Sequence, residues 1–519
     1  MSKQRYEPEI HRVCSQDEIQ KISDDLKYDC SPALLTAITD LSNNYLEVLK
    51  DVDNLTDLVP EVKYPRLPGY RPEPEDRRGN AWAWRCDIQG SSEGLLAGKT
   101  LAIKDNCAVA GVPMSNGSRL LEGYVPDYDA TLVTRILDAG GRIVGKSSCD
   151  DFCFSAMGFS SVDGYSHLPS RPDLRTGGSS GGSAVLVAEG DVDMAIAADQ
   201  GGSIRIPAAW TGCVGLKPTL GLVPYTGLVS IEPTVDHVGP IARNVADCAL
   251  LLEAIAGPDG LDGRQPSGLE VPKYTEQLET VSVAGKTLGL LKEGFASCVE
   301  DSQSSVKQFL NSVSKAQLKT TDVSVPLHAH GLSVFMPLVG QGAQSAFQDG
   351  TCAQHVKGFS STSLEKAVRQ GRESSASLLS PNAKYLTMLG EFTKRRHGNR
   401  YATKCRNLVI KLTAQYDEAL KKCDVIVMPT LTHPTVGLPE GSNKDAQATS
   451  EYLTVALDMC ANTAPTDLTG HPALTLPLGK LCDGKADSVM IVGRKYDETT
   501  VLGVARALEK IIPAREGLH

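Results

Sequence analysis

Along most of the chain of 519 residues, short apolar runs typical of strands alternate with apolar residues at helical spacing. The apolar run before Lys104 predicts a short buried strand, and apolar residues at 132, 133, 136 and 137 predict an amphipathic helix capped by Asp129. Gly140 and Gly141 end that helix, and the run at 142–146 predicts the next strand. Alternation of strand, helix and strand predicts an α/β fold with helices on both faces of a sheet.

The same patterns recur later in the sequence. They predict strands at 194–198, 425–429 and 473–479, and helices at 183–189, 406–421 and 499–512. Residues 177–183 then lie at a turn into a helix, and residues 199–205 lie in a loop after a strand. Loops of this kind commonly hold the chemistry of a protein.

The first 75 residues differ from the rest and predict an N-terminal helical element followed by a linker. Ser31 and Pro32 form an N-cap and first-turn pair before apolar residues at helical spacing. Prolines between Pro60 and Asn80 prevent a helix or central strand there. We expect one large catalytic domain at 80–515, with a polar, partly helical insertion at about 300–400, including a helix at 304–313, that covers or borders the site.

Composition excludes several classes of protein. The formal charge is −10 and no basic block is present, which argues against a nucleic-acid partner. No run of about 18 apolar residues predicts a membrane span. The 14 cysteines form no CxxC pair, so we expect reduced thiols, a cytoplasmic location, and neither a metal nor a cofactor.

Two Gly-Ser clusters carry the candidate chemistry: TGGSSGGSA at 176–184 and DQGGSIRIPAA at 199–209. Flexible loops are the simple interpretation, but each cluster directly joins two apolar elements. Glycines let successive backbone N–H groups point inward, so Gln200, Gly201, Gly202 and Ser203 can bind a developing oxyanion beside the Ser203 hydroxyl. The nucleophile and the oxyanion donors would then share one turn.

A serine nucleophile needs a base, and histidine is poorly placed to supply it. Only His167 and His237 fall near the clusters, in no pattern typical of a triad. Burial disfavours the charged form of a lysine, so Lys104 at the end of a buried strand is the candidate base. An equally simple interpretation pairs Lys104 with Asp105.

The sequence from about residue 80 to the C-terminus resembles the amidase signature family, most clearly in GGSSGGSAVLVAEGDVDMAIAADQGGSIRIPAAWTGCVGLKPT. The resemblance implies a large mixed β-sheet core and a Ser-cisSer-Lys triad. The matching residues are Lys104 as base, Ser179 after a cis peptide as proton relay, and Ser203 as nucleophile. It implies hydrolysis of a carboxylic acid amide to carboxylate and ammonia through an acyl-enzyme.

Gln200 stands where the family often has threonine, and this variant is similar to a subgroup of bacterial enantioselective amidases acting on aliphatic and aromatic primary amides. We therefore expect a small-molecule amide as substrate, contacted by Gln200, Ser180 and Met157. Asp199 and Arg205 are expected to fix the shape of the nucleophile turn. The N-terminal helices could form a homodimer, as in those similar amidases.

Three rival hypotheses remain. An α/β-hydrolase would use Ser180, because residues 178–182 formally satisfy G-x-S-x-G. A metal hydrolase would use His328 and His330 on a strand. The ammonia-generating subunit of a tRNA-dependent amidotransferase belongs to the same family but works with partner chains.

Overall fold

The computed structural model describes residues 12–353, 357–434, 450, 453–454, 458–479 and 487–512. The chain divides into two compact units, Met1–Val59 and Pro60–His519. The predicted linker belongs to the larger unit, where Lys63 pairs with Asp138 and Arg66 with Asp129.

The smaller unit contains two helices, α1 (Gln16–Leu26) and α2 (Pro32–Asp53). Ser31 caps α2 by accepting a hydrogen bond from the Leu34 N–H, and Pro32 occupies the first turn, as predicted. Ser15 and Glu18 form a capping box at the start of α1. Of the α2 side chains, Leu35 is buried.

In the described part of the chain, the larger unit is built on a sheet of eleven strands in the order β1-β3-β2-β4-β6-β5-β10-β11-β9-β7-β8. Parallel and antiparallel pairs both occur, so the sheet is mixed. The strands are β1 Trp82–Gln89, β2 Thr100–Lys104, β3 Arg142–Ser147, β4 Met194–Asp199, β5 Val214–Lys217, β6 His237–Ala242, β7 Thr287–Leu291, β8 Lys319–Val323, β9 Val425–Pro429, β10 Ala473–Pro477 and β11 Ser488–Val492.

Helices surround this sheet, and none of those in the described part of the chain is long and apolar enough to span a membrane. They are α3 Thr131–Asp138, α4 Gly181–Ala188, α5 Arg205–Thr211, α6 Val245–Ile255, α7 Tyr274–Thr280, α8 Lys292–Ala296, α9 Glu300–Leu310, α10 Gly331–Gln348, α11 Thr362–Ser375, α12 Pro381–His397, α13 Arg400–Leu420, α14 Ala464–Thr469 and α15 Glu498–Glu509.

Both faces of the centre of the sheet are buried, as predicted for an α/β fold. Leu101 and Ile103 of β2 pack in one hydrophobic cluster, and Ala102 between them packs in another, because successive side chains of a strand point to opposite faces. The first cluster includes residues of α3 and α6, and the second includes residues of α4.

Strand pairing at the centre of the sheet places the second Gly-Ser cluster, at 199–209, at the same edge of the sheet as Lys104. β2 and β4 are parallel neighbours, with Ile103 opposite Ile196. Lys104 at the end of β2 and the loop that follows Asp199 of β4 therefore lie at the same edge of the sheet. Ligands of open α/β sheets commonly bind at this edge.

Two local predictions were wrong. Asp129 does not cap α3; its Oδ1 accepts hydrogen bonds from the Ala110 N–H and the Arg66 guanidinium, and Ala130 occupies the cap position. His328 and His330 lie in a 3₁₀-helix, Pro326–His330, and not on a strand. In both cases contacts between segments distant in sequence determine the local structure.

Candidate active site

Lys104 and Ser179 meet in the wholly buried interior at the end of β2. The Lys104 Nζ lies 2.8 Å from Ser179 Oγ and donates a hydrogen bond to it. A second contact of 3.4 Å joins Nζ to the carbonyl oxygen of Ala198 in β4. The peptide bond between Gly178 and Ser179 is cis, as the family resemblance implied. The structure thus brings together two of the three residues predicted for the triad.

Asp105 does not pair with Lys104, although the two are adjacent in sequence. Its Oδ1 lies 2.9 Å from the Nζ of Lys146 in β3, and its Oδ2 accepts hydrogen bonds from the N–H and hydroxyl of Ser115. Lys146 and Asp105 are both buried. The simple interpretation of Lys104 as the partner of Asp105 was therefore wrong, and Lys146 takes that position.

The backbone around Ser179 is held by the segment that contains Asp150. The Asp150 N–H donates to the Ser179 carbonyl oxygen at 3.2 Å, and the Gly178 N–H donates to the Ala156 carbonyl oxygen at 2.9 Å. The Asp150 carboxyl accepts hydrogen bonds from Gly158 N–H and from Ser160. Burial raises the pKa of Asp150 to about 6. A Cβ at Gly178 would lie only 2.1 Å from Asp150 Oδ2, so this position requires glycine.

The turn after β4 contains Ser203 and is shaped by Asp199. Asp199 Oδ1 accepts a hydrogen bond of 2.5 Å from the Gly202 N–H, and Oδ2 accepts one of 3.1 Å from the Ile204 N–H. Gly202 has a φ of 138°, a conformation that favours glycine. The Gly202 N–H was predicted to bind an oxyanion, but it donates to Asp199 instead. The three other predicted donors are the N–H groups of Gln200, Gly201 and Ser203.

Arg205 joins this turn to α14. Its guanidinium donates to both Asp199 oxygens, at 2.9 and 3.0 Å, and to Asp467 Oδ2 at 2.7 Å, and all three side chains are wholly buried. Further hydrogen bonds reach the Thr463 carbonyl oxygen and the Thr466 hydroxyl. The prediction that Asp199 and Arg205 fix the shape of the turn is confirmed.

The two buried carboxyls around Arg205 have pKa values shifted in opposite directions. Burial raises the pKa of Asp199, but the charges of Arg205 and Lys217 outweigh it and hold this pKa well below the ordinary value. Burial, together with the neighbouring Asp199 charge, raises the pKa of Asp467 well above its ordinary value. Burial also lowers the pKa of Lys217 to about 7. The opposite shifts favour Asp199 over Asp467 as the counter-charge of Arg205.

A cavity opens beside Ser203. It comprises about 630 Å³ of space free of protein atoms, including its opening to solvent. Gln200, Gly201 and Ser203 line it from the turn after β4. The other described residues that line it are Cys153, Phe154, Ser155, Ala156, Ile231, Phe335, Met336, Val339, Asn382, Tyr385, Leu386, Leu453 and Cys460.

The Gln200 side chain is held at the cavity wall by one hydrogen bond. Its Nε2 donates to Tyr225 Oη at 2.6 Å, and Tyr225 Oη in turn donates to the Val229 carbonyl oxygen. Within the described part of the chain, Gln200 Oε1 is buried and accepts no hydrogen bond. An unpaired buried acceptor is costly, so this atom favours a ligand that brings an N–H or O–H donor.

The other predicted substrate contacts lie elsewhere. Met157 is buried among Ile206, Trp210 and Met459 and does not line the cavity; Phe154, Ser155 and Ala156 of the same loop do. Ser180 is also absent from the lining, and its hydroxyl donates to the Ala198 carbonyl oxygen at 3.3 Å. Periodicity could not show which face of an irregular loop is turned inward.

Sequence reasoning missed the side chains that α10 and α12 contribute. Phe335 and Val339 of α10, and Asn382, Tyr385 and Leu386 of α12, line the cavity. The sequence indicated only that these helices lie within the insertion at about 300–400, which was expected to cover or border the site. No motif marked the individual residues.

The rival metal site at His328 lacks a free ligand atom. One ring nitrogen of His328 lies 2.7 Å from Tyr416 Oη and the other lies 3.0 Å from Asn462 Oδ1. His330 is exposed. The described residues contain no cluster of three or more His, Cys, Asp or Glu side chains able to hold a metal ion.

The chain is similar to several known proteins. Residues 74–502 match the family model described as Amidase. An enantioselective amidase of Rhodococcus rhodochrous is 40% identical to this chain over 454 residues, which cover 84% of the chain and 86% of that relative. A glutamyl-tRNA(Gln) amidotransferase subunit of Natranaerobius thermophilus is 34% identical over 431 residues, covering 82% and 84%. The solved structure of the corresponding protein from Thermotoga maritima superposes with a TM-score of 0.68 at 26% identity, covering 98% of this chain and 96% of that one.

Replacement of Arg205 tests the buried ion pair. We expect Arg205→Met to lower the free energy of unfolding by about 3–5 kcal/mol, because it leaves the buried Asp199 carboxylate without a counter-charge. Urea unfolding followed by circular dichroism measures the change. The matched control is Arg142→Met, which breaks a bidentate pair with Asp87 whose side chains are 48% and 61% exposed. That control should lower the free energy of unfolding by less than about 1 kcal/mol. Equal losses of unfolding free energy in the two variants would contradict the interpretation.

Proposed function

Because the chain belongs to the amidase family and is a hydrolase of amide C–N bonds, we propose that Ser203, Ser179 and Lys104 form its catalytic triad. The hydrogen bond of 2.8 Å between Lys104 Nζ and Ser179 Oγ carries this proposal. It supplies a buried base for a serine relay next to the cavity that Ser203 lines. The proposed substrate is a small primary amide.

Acylation begins with proton transfer through the two serines. Ser203 Oγ attacks the carbonyl carbon of the amide while its proton passes to Ser179, and the Ser179 proton passes to Lys104 Nζ. Lys104 is wholly buried, and Asp105 is paired with Lys146, so the side chain that the Lys104 amine contacts is Ser179. The N–H groups of Gln200, Gly201 and Ser203 stabilise the tetrahedral oxyanion.

Collapse of the tetrahedral intermediate breaks the C–N bond. The proton held by Lys104 returns through Ser179 to the leaving nitrogen, so ammonia departs and an ester of Ser203 remains. Water then attacks the ester carbonyl carbon, the relay accepts the water proton, and the carboxylate is released as Ser203 regains its hydroxyl. Each amide and each water thus yield one carboxylate, one ammonia and one proton.

The preference for a primary amide rests on Gln200. Its Oε1 is buried at the cavity wall without a donor, while its Nε2 is held by Tyr225. A carboxamide NH₂ group supplies such a donor next to the carbonyl group that Ser203 attacks. The enantioselective amidase of Rhodococcus rhodochrous, which is 40% identical, supports the same class of activity.

Alanine variants test the triad. In an ammonia-release assay over aliphatic and aromatic primary amides, Ser203→Ala, Ser179→Ala and Lys104→Ala should each lower kcat by about 10⁴-fold or more, because the three groups act as a unit. Ser183→Ala is the matched control, since this buried serine bonds to Ser147 and Ile196 away from the cavity. Loss of turnover in Ser180→Ala with retention in Ser203→Ala would instead favour the α/β-hydrolase hypothesis.

The same assay addresses the second candidate function. Relatives named as glutamyl-tRNA(Gln) amidotransferase subunits are 33–34% identical to this chain, which makes a partner-dependent source of ammonia the alternative. A protein of that kind works with partner chains, whereas we expect the isolated protein to release ammonia from free amides. Absence of release from every amide tested would favour the partner-dependent role.

A substitution at Gln200 tests the primary-amide contact. Gln200→Met keeps the length of the side chain but removes the acceptor, so kcat/KM for a primary amide should fall by about 10- to 100-fold. The corresponding methyl ester of the same acid lacks the N–H donor and should lose far less. Steady-state kinetics on both substrates measures the difference, and equal losses would assign Gln200 to a structural role.

We further propose a cytoplasmic homodimer that forms through α2. Leu34, Leu41, Tyr45, Val48 and Val52 share one face of this helix, and Leu41 and Tyr45 are 66% and 59% exposed. An apolar stripe of this length favours a second copy of the same helix as its partner. No disulfide joins the thirteen described cysteines to one another, as is typical of a reducing compartment, and cell fractionation tests that location.

Light scattering after size exclusion tests the dimer. The protein should elute with twice the 55.3 kDa mass of one chain, and the double substitution Leu41→Glu and Val48→Glu should yield monomers. The control is Ile410→Glu, which replaces an exposed apolar residue of α13. A monomeric wild-type protein would refute the proposal.

A further inference from the structure

Asn382 is a buried polar residue in the wall of the cavity. It is the second residue of α12 and is only 4% exposed. Most of its neighbours in the cavity lining are apolar, among them Phe335, Val339 and Leu386. An amide in such surroundings needs hydrogen-bond partners.

Asn382 has no hydrogen-bond partner for its side-chain oxygen among the described residues. Its Oδ1 is buried and accepts no hydrogen bond from the described part of the chain. Leaving a buried polar group unpaired is unfavourable. Asn382 and Gln200 thus both line the cavity, and each has a buried amide oxygen without a hydrogen-bond donor among the described residues.

The position of Asn382 is fixed relative to the proposed catalytic residues. Ser380 caps α12 through a hydrogen bond from the Ala383 N–H, and the Ser380 N–H donates to Asp151 Oδ2 at 2.6 Å. The adjacent Asp150 holds the carbonyl oxygen of Ser179. A short chain of hydrogen bonds therefore connects the start of α12 to the loop that carries the relay serine.

We propose that Asn382 is a specificity residue that recognises an uncharged hydroxyl or N–H group on the acyl chain of the substrate. This inference rests on the proposed amidase function and deepens it. Gln200 receives the NH₂ group that leaves, and Asn382 receives the second polar group. The remaining acyl chain is apolar, because Phe154, Phe335 and Leu386 form the wall. A charged group is disfavoured in this lining, since its desolvation has no counter-charge to offset it.

Pairs of primary amides that differ by a hydroxyl in place of a methyl group test the proposal. Suitable pairs are lactamide with isobutyramide, 3-hydroxybutyramide with isovaleramide, and 4-hydroxybenzamide with 4-methylbenzamide. The wild-type protein should favour the hydroxyl member of at least one pair. In that pair, Asn382→Leu should lower kcat/KM for the hydroxyl member by about 10- to 100-fold and leave the methyl member nearly unchanged.

Thr387→Val is the matched control. Thr387 is a buried residue of the same helix, its hydroxyl donates to the Ala383 carbonyl oxygen, and it does not line the cavity. This variant should leave every hydroxyl-to-methyl ratio as in the wild type. Asn382→Ala replaces Asn382→Leu in the assay if the leucine variant does not fold.

The outcomes separate this inference from the proposed function. Turnover of the amides with hydroxyl-to-methyl ratios that Asn382→Leu leaves unchanged, or a wild-type preference for the methyl member of every pair, would overturn the role of Asn382 alone. Failure of the wild-type protein to release ammonia from any amide would overturn the proposed function itself.

Discussion

The geometry of the active site depends on one buried ion pair, that between Asp199 and Arg205. A carboxylate in the interior must be neutralised and hydrogen bonded, and here the groups that satisfy it are the guanidinium and the backbone N–H groups of Gly202 and Ile204. The groups that neutralise and hydrogen-bond the buried Asp199 carboxylate therefore determine the shape of the turn that carries Ser203. Through Asp467 the same guanidinium fixes α14, more than 200 residues away in sequence, against the turn.

A second constraint is the parallel pairing of β2 with β4. It places the end of β2, with Lys104, beside the end of β4, where the Ser203 turn begins. The loop with Ser179 lies against the end of β2, because Ser179 Oγ accepts a hydrogen bond from Lys104 Nζ. The Ser179 carbonyl oxygen accepts a second hydrogen bond, from the Asp150 N–H. The residues proposed to react come from three separate segments, so the sheet and the hydrogen bonds between the segments determine how far apart these residues lie.

The sequence predicted those parts of the fold that depend on local chemistry. Apolar periodicity located the strands around Lys104 and Asp199, and Ser31 with Pro32 located the start of α2. The partner of Asp105 could not be predicted, because Lys146 reaches it only when β3 packs beside β2. Asn382 was missed for the same reason. Whether an amide is buried and lacks a hydrogen-bond partner depends on the residues that pack around it in the fold. The sequence alone does not show which residues those are.

The residues proposed for chemistry and those proposed for substrate selection lie on different elements of the fold. Lys104, Ser179 and Ser203 lie on strand ends and the loops of the sheet, whereas Phe335 and Asn382 lie on helices α10 and α12. Substitutions on those helices would change the shape and polarity of the cavity wall at side chains other than Lys104 and Ser179. One polar contact between α12 and the loops of the sheet is the hydrogen bond from the Ser380 N–H to Asp151. We therefore expect the proposed triad to serve different acyl groups as the helical wall changes.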